Sequence, residues 1–302
     1  MDQEVYHIPA LLPQTIAALD IRPAGVYVDA TFGGGGHSRA ILEALGPDGR
    51  LLGFDQDSDA LAGAPDDARF TMVYGNFRFL RNFLRFYEAV PVDGILADLG
   101  VSFHHFDDAE RGFSFRADAR LDMRMNRHAR LSAVEVLNDY PEERLADILH
   151  LYGELPSARR VAAAIVRARA AEPIERVNQL LAIVEPLTDP RRRKKDLACI
   201  FQALRIEVNG ELDALRRFLA ASVEVLRPGG RLAIITYHSL EDRLVKNFMR
   251  TGNFEGRVET DIYGRKSAPL KPLSGKPVVA DEQEVERNPR SRSAKLRVAV
   301  KI

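Results

Sequence analysis

Short apolar runs, each closed by glycine, proline or an acid, pattern the first hundred positions. Val26-Tyr27-Val28 is long enough for a strand buried on both faces, and it stops at Asp29, ahead of four consecutive glycines, Gly33 to Gly36. His37 to Leu45 has helical spacing closed by Gly46-Pro47, and Leu51 to Phe54 is a second apolar run ending at Asp55. Phe70 to Tyr74 and Val92 to Leu96 repeat the strand pattern, and helices are predicted over Pro9 to Leu19, Ser58 to Ala64 and Phe79 to Tyr87.

Residues 103–130 have no period and predict a long ordered loop; a loop of that length inside a domain usually has a function. From Ser132 the period turns helical, with Ser132 and Glu135 at capping-box spacing and further helices predicted over Glu142 to Leu151, Ser157 to Ala171 and Ile174 to Val184. A long helical region from Phe201 to Leu226 follows, then the turn Arg227-Pro228-Gly229-Gly230 and a strand over Arg231 to Thr236. Lys295 to Ile302 alternates as a final strand, expected to pair antiparallel at the sheet edge. Strands alternating with helices predict an α/β fold with a mostly parallel sheet. The helical stretch makes an insertion, giving one domain over 1–103 and 201–302 and an all-helical domain over 104–200.

The strand, glycine loop, helix, strand and acid in succession suit an adenosine-containing ligand. Bare backbone N–H groups can approach one part of such a ligand, and an acid about 20 residues on can hydrogen-bond the ribose. Asp55 lies 22 residues after Gly33. Two details favour S-adenosylmethionine over a dinucleotide. Ser38 replaces the third glycine of the dinucleotide pattern, and Asp29 at the mouth of the first strand would repel a pyrophosphate but suit an ammonium group. Phe77, just beyond the third strand, is either an apolar wall for adenine or an ordinary core residue.

Composition narrows the class without changing this picture. At 302 residues, 46% hydrophobic and 28% charged, the chain reads as an ordinary globular protein with no apolar run of membrane length. The N-terminus lacks a basic region followed by an apolar stretch, so the expected location is the cytoplasm. A lone cysteine, Cys199, excludes a disulfide within the chain and a cysteine metal cluster; no metal is expected. Lys plus Arg and Asp plus Glu balance at 43 each, so nucleic-acid binding would need local patches. Two stand out in the insertion: Arg159, Arg160, Arg167 and Arg169 on one helix, and Arg191, Arg192, Arg193, Lys194 and Lys195, expected in a loop.

The ordered set of motifs resembles the bacterial 16S rRNA (cytosine-N4)-methyltransferase family nearly end to end. It comprises Asp29-Ala30-Thr31-Phe32-Gly33 with Gly35-Gly36-His37-Ser38, Asp98-Leu99-Gly100-Val101-Ser102, Glu110-Arg111-Gly112-Phe113-Ser114-Phe115 and Leu121-Asp122-Met123-Arg124-Met125. Phe201-Gln202-Ala203-Leu204-Arg205-Ile206, His238-Ser239-Leu240-Glu241-Asp242-Arg243 and Asn288-Pro289-Arg290 complete it. The resemblance implies a class I, Rossmann-like methyltransferase sheet with a helical insertion, S-adenosyl-L-methionine as donor, and a cytosine of 16S rRNA near the decoding centre of the small ribosomal subunit as acceptor. It also implies a homodimer as one assembly and no membrane partner.

Carried over by motif, the implied cofactor contacts are Gly35, Gly36 and His37, Asp55 for the ribose, Phe77 beside the adenine, Asp98, and His105 where the family commonly has glutamine. Tyr237 stands where the family usually has phenylalanine, and Asp196 to Ile200 where members usually carry a Thr-Arg pair. For catalysis, Asp98 is the first candidate to pull on the cytosine amine, with a purely cofactor-binding role open beside it. His238 is the second candidate, set against a role as a helix cap. The rivals are an NAD-dependent oxidoreductase on the same sheet and a non-catalytic RNA-binding factor that keeps the fold.

Overall fold

The computed structural model describes residues 9–100, 110–260 and 267–302. The chain divides into two units, one formed by residues 1–100 and 212–302 and the other by residues 101–211. Position 201, the expected point of return from the insertion, falls inside a helix, Arg193–Asn209, and the division instead follows that helix's end.

The first unit is built on one eight-stranded sheet. Strands β1 (Val26–Asp29), β2 (Arg50–Asp55), β3 (Phe70–Tyr74), β4 (Val92–Asp98) and β5 (Leu226–Thr236) are parallel to one another, in the order β3-β2-β1-β4-β5. The chain steps outward from β1 to β3, then returns to place β4 on the other side of β1. That reversal opens a crevice beyond the carboxyl ends of β1 and β4, the place where open α/β sheets hold ligands. Val28, Leu51, Leu52, Phe54, Ile95, Leu96 and Leu232 to Ile235 are buried, as expected of strands covered on both faces.

The antiparallel strand departs from expectation in one respect. The last long strand, β8 (Lys295–Lys301), pairs antiparallel with β5, but two short strands, β6 (Leu270–Pro272) and β7 (Val278–Val279), pair with its other side. The true edge is therefore made by these short strands. A proline inside β6 suits that position, since an edge strand can lack one ladder donor. The Arg227-Pro228-Gly229-Gly230 turn lies within β5, where the pairing jumps from Val92↔Leu226 to Gly94↔Arg231.

Helices α1 (Leu12–Leu19), α2 (Gly36–Ala44) and α3 (Leu80–Phe86) fall close to their predicted spans, and 58–63 is a 3-10 helix. The second unit carries α4 (Ala133–Asp139), α5 (Glu142–Leu151), α6 (Ala158–Arg169), α7 (Val177–Val184) and α8 (Arg193–Asn209). Its core joins Val136, Leu137, Leu145, Val161, Ile165, Leu180, Ile200 and Leu204 from these helices to Leu121 and Met123 from the irregular stretch before them. That stretch is thus held by burial. Arg111 is itself buried and donates to the carbonyls of Arg124 and Met125.

The single helical region expected from Phe201 to Leu226 is two helices. Gly210 takes a left-handed conformation (φ 59°) that closes α8, and α9 (Glu211–Val225) starts afresh. The basic run is not wholly a loop either: Arg193, Lys194 and Lys195 open α8. Among the described residues, no helix is long and apolar enough to cross a membrane.

Candidate functional site

The glycine stretch leaves β1 as a braced turn. The N–H of Thr31 donates to Oδ1 of Asp29 (3.1 Å), and the Ser38 hydroxyl donates to its Oδ2 (2.7 Å). Asp29 is only 1% exposed, and burial pushes its carboxyl up to about 6. It thus knits the turn to the first turn of α2, a bracing role that the expectation of an ammonium partner did not include.

Gly33 and Gly35 both take positive φ (52° and 75°), and Gly35 caps α2, which begins at Gly36. A Cβ added at Gly35 would lie 2.7 Å from the Phe32 ring, whereas one added at Gly34 would meet nothing within 4 Å. The turn is therefore packed on one side and open on the other, a cradle that leaves room for a ligand against bare backbone. Asp55, at the end of β2, accepts from the N–H of Gly33 (2.8 Å) and of Asp57 (2.9 Å), tying the loop to the neighbouring strand. Phe77, beyond β3, packs edge-on against Phe218, with ring centroids 5.2 Å apart. A glycine cradle, an acid at the next strand end and an aromatic beyond the third are the features that an adenosine-bearing methyl donor requires.

Asp98 ends β4 across the crevice from Asp29. The Tyr237 hydroxyl donates to its Oδ1 (2.7 Å), its backbone N–H donates to Oγ1 of Thr31 (2.6 Å), and Nδ1 of His37 lies 3.8 Å from Oδ2. Its side chain is 20% exposed. Burial, with Asp29 and Glu241 adding to it, pushes the carboxyl up to about 7, although the Tyr237 hydrogen bond acts in the opposite direction. His37 is buried and its imidazole is pushed down to about 4, so it is neutral around neutral pH.

His238 occupies the N-cap position of α10 (Ser239–Thr251), but its side chain makes no capping hydrogen bond. Its Nε2 lies instead 3.1 Å from Oε1 of the buried Glu241, whose Oε2 accepts from the N–H of Tyr237 (3.2 Å). The expected side-chain cap is thus replaced by a contact with Glu241. Sequence reasoning brought Gly35, Gly36, His37, Asp55 and Asp98 together at neighbouring strand ends, but missed Tyr237 and Glu241 as members of the cluster. Both lie in the His238-to-Arg243 stretch or directly before it, and their place beyond the end of β5 was the available signal. His105 lies outside the described residues.

Of the basic groups in the second unit, Arg169 donates to the carbonyls of Leu137 (2.6 Å) and Tyr140 (2.7 Å), and Arg160 donates to that of Leu187. These two have structural partners. Arg191 to Lys195 are all exposed, with Arg192 3.7 Å from Asp196.

Comparison with known proteins gives a consistent result along the whole chain. The model of the MraW methylase family matches residues 4–302. A Bacteroides thetaiotaomicron protein named ribosomal RNA small subunit methyltransferase H is 58% identical over 99% of both chains. One of the same name from Flavobacterium johnsoniae is 54% identical over 98% of both. A solved rRNA methylase from Streptococcus thermophilus aligns over 100% of this chain and 99% of its own, at 11% identity and a TM-score of 0.43.

Proposed function

The chain belongs to the MraW methylase family, and on that premise we propose that it transfers a methyl group from S-adenosylmethionine to a cytosine of 16S rRNA in the small ribosomal subunit. The acceptor atom in this reading is the exocyclic N4, and the target lies near the decoding centre. The placement of Asp98 carries the reading: a carboxylate at the end of β4, beside the topological switch point, with one oxygen held by a phenol and the other facing a neutral imidazole.

The difficulty of the reaction lies in the acceptor. The lone pair of the cytosine amine is delocalised into the ring, so the amine is a weak nucleophile. The sulfonium, when bound, supplies a methyl group that is already activated. The protein must then align nitrogen, methyl and sulfur, a contribution that can reach about 7 to 11 kcal/mol. It must also provide an acceptor for the amine hydrogens. Asp98 does this by accepting a hydrogen bond from N4–H, which returns lone-pair density to nitrogen, and then by taking the proton that N4 sheds once the methyl has moved. Gly33 to Gly36 let the backbone approach the donor, Asp55 orients the ribose hydroxyls, and Phe77 flanks the adenine. His238, paired with Glu241, is the second acceptor candidate.

The base must leave its stack to reach this crevice, at a cost of a few kcal/mol that an unpaired RNA segment reduces. The exposed cations at 191–195 supply phosphate contacts for that RNA. Labelled methyl transfer from S-adenosylmethionine to small subunits lacking the modification, followed by nucleoside analysis, tests the proposal. N4-methylcytidine is the expected product. Label on another base or in protein would overturn the acceptor assignment.

A further inference from the structure

Tyr237 follows directly after β5, and its ring is seated against Gly100, the second residue after β4. Gly100 has a φ of +111°, and a Cβ there would come within 3.2 Å of the ring's Cδ2. The seat therefore brings together the two segments that leave adjacent parallel strands. From it the phenol reaches Oδ1 of Asp98 at 2.7 Å. Among the described residues, no other side chain donates a hydrogen bond to that carboxylate.

We infer that Tyr237 is a positioning residue for the methyl transfer: its hydroxyl holds Oδ1 of Asp98, so that Oδ2 is the oxygen presented to the cytosine amine. The inference rests on the acceptor role proposed for Asp98 above. A carboxylate free to rotate would offer either oxygen in several orientations, and alignment is where most of the rate is to be gained. The same bond controls protonation. Asp98 can take the proton that N4 sheds only when ionised, and among the described residues the groups that face it are Asp29 from β1, Glu241 from α10, His37 from α2 and Tyr237 itself. The two carboxylates oppose ionisation and the neutral His37 adds no positive charge, which leaves the phenol as the neighbour that favours the charged form. Burial and Asp98 together hold the phenol well above its ordinary value, so it remains a donor throughout the working range.

Tyr237→Phe keeps the ring and its seat on Gly100 and removes one oxygen. The test measures kcat and KM on small subunits lacking the modification, with saturating S-adenosylmethionine, across pH, beside Asp98→Asn. The expected result for Tyr237→Phe is an acid limb of kcat/KM moved upward by about one pH unit, together with a kcat that stays below wild type on the alkaline plateau because the carboxylate is no longer oriented. An unshifted profile, whether at the wild-type rate or lowered uniformly at every pH, overturns the inference while leaving Asp98 as acceptor, provided Asp98→Asn is inactive. Full turnover by Asp98→Asn would instead remove the acceptor role itself, and the positioning role with it.

Discussion

The backbone N–H of Asp98 donates to Oγ1 of Thr31 across 2.6 Å, joining the end of β4 to the turn after β1 at the point where the strand order reverses. Parallel strands exchange backbone bonds only while both remain extended, and β1 ends at Asp29. The Thr31 hydroxyl thus continues the link beyond the ladder. Thr31→Val keeps the shape and leaves that N–H without its acceptor, a loss of about 1 to 3 kcal/mol. Urea unfolding of the full chain should show a lowered midpoint, with Thr31→Ser close to wild type. Equal midpoints for all three proteins would show that solvent replaces the hydroxyl at no cost.

Asp29 and Asp98 carry a stability signature of their own. Both carboxyls are raised in the folded protein, to about 6 and about 7, above the ordinary carboxyl value of 3.8. The folded state therefore binds protons more tightly than the unfolded state. The resulting stability is fully present below about pH 4 and is lost as pH rises through about 7. Asp98→Asn removes that term, so its unfolding midpoint should exceed the wild type's at pH 8 and converge with it at pH 4, on the order of a few kcal/mol apart at most. Unfolding curves of the two proteins at both pH values check this, and a difference independent of pH would contradict it.

Strands β1, β2 and β4 could be read from sequence because burial on both faces calls for mostly apolar residues, whereas the edge strand β3 buries only Val73 and was legible through its residue types. The antiparallel pairing of β8 was legible from its alternation, but the order of the strands, which no apolar run encodes, was not. What covers β8 was not legible. β6 and β7 are three and two residues long in a stretch rich in proline and lysine, too short to show any period. The glycine cradle was legible through Gly33 to Gly36, since that spacing has few structural uses. The Tyr237–Asp98 bond joins residues 139 apart, and nothing local marks it. The division between α8 and α9 did have a local signal, Asn209-Gly210, which the apolar period on either side obscured.

The Ser132 capping box anchors the second unit just where irregular chain gives way to helices. Glu135 accepts from the N–H of Ser132 (2.7 Å), and the N–H of Val134 donates to the Ser132 hydroxyl (3.2 Å). Val134, Val136 and Leu137 on α4 are buried in the core that also holds Leu121. Ser132→Ala should therefore cost about 1 kcal/mol, and hydrogen exchange should show faster opening of α4 than of the sheet. Uniform exchange rates in variant and wild type would remove the anchoring role.

The run Arg191 to Lys195 works against its own helix. Arg193, Lys194 and Lys195 open α8, whose N-terminus carries the positive end of the helix dipole, and Asp196 is the acid in that first turn. Each cation so placed costs about 0.3 to 1 kcal/mol, less where salt screens it. Exchanging Arg193, Lys194 and Lys195 for glutamine should therefore raise the unfolding midpoint slightly. If these groups contact rRNA phosphates, as proposed, the same variant should bind RNA more weakly. Its log K should also fall less steeply with log salt, by roughly 0.7 to 0.9 for each contact removed. Affinity for S-adenosylmethionine, whose proposed contacts at Gly33 to Gly36, Asp55 and Phe77 lie in the other unit, should not change. Binding isotherms over a salt series separate the alternatives: a parallel but weaker line would mean that the substitutions act through the fold, and an unchanged line that the RNA path lies elsewhere.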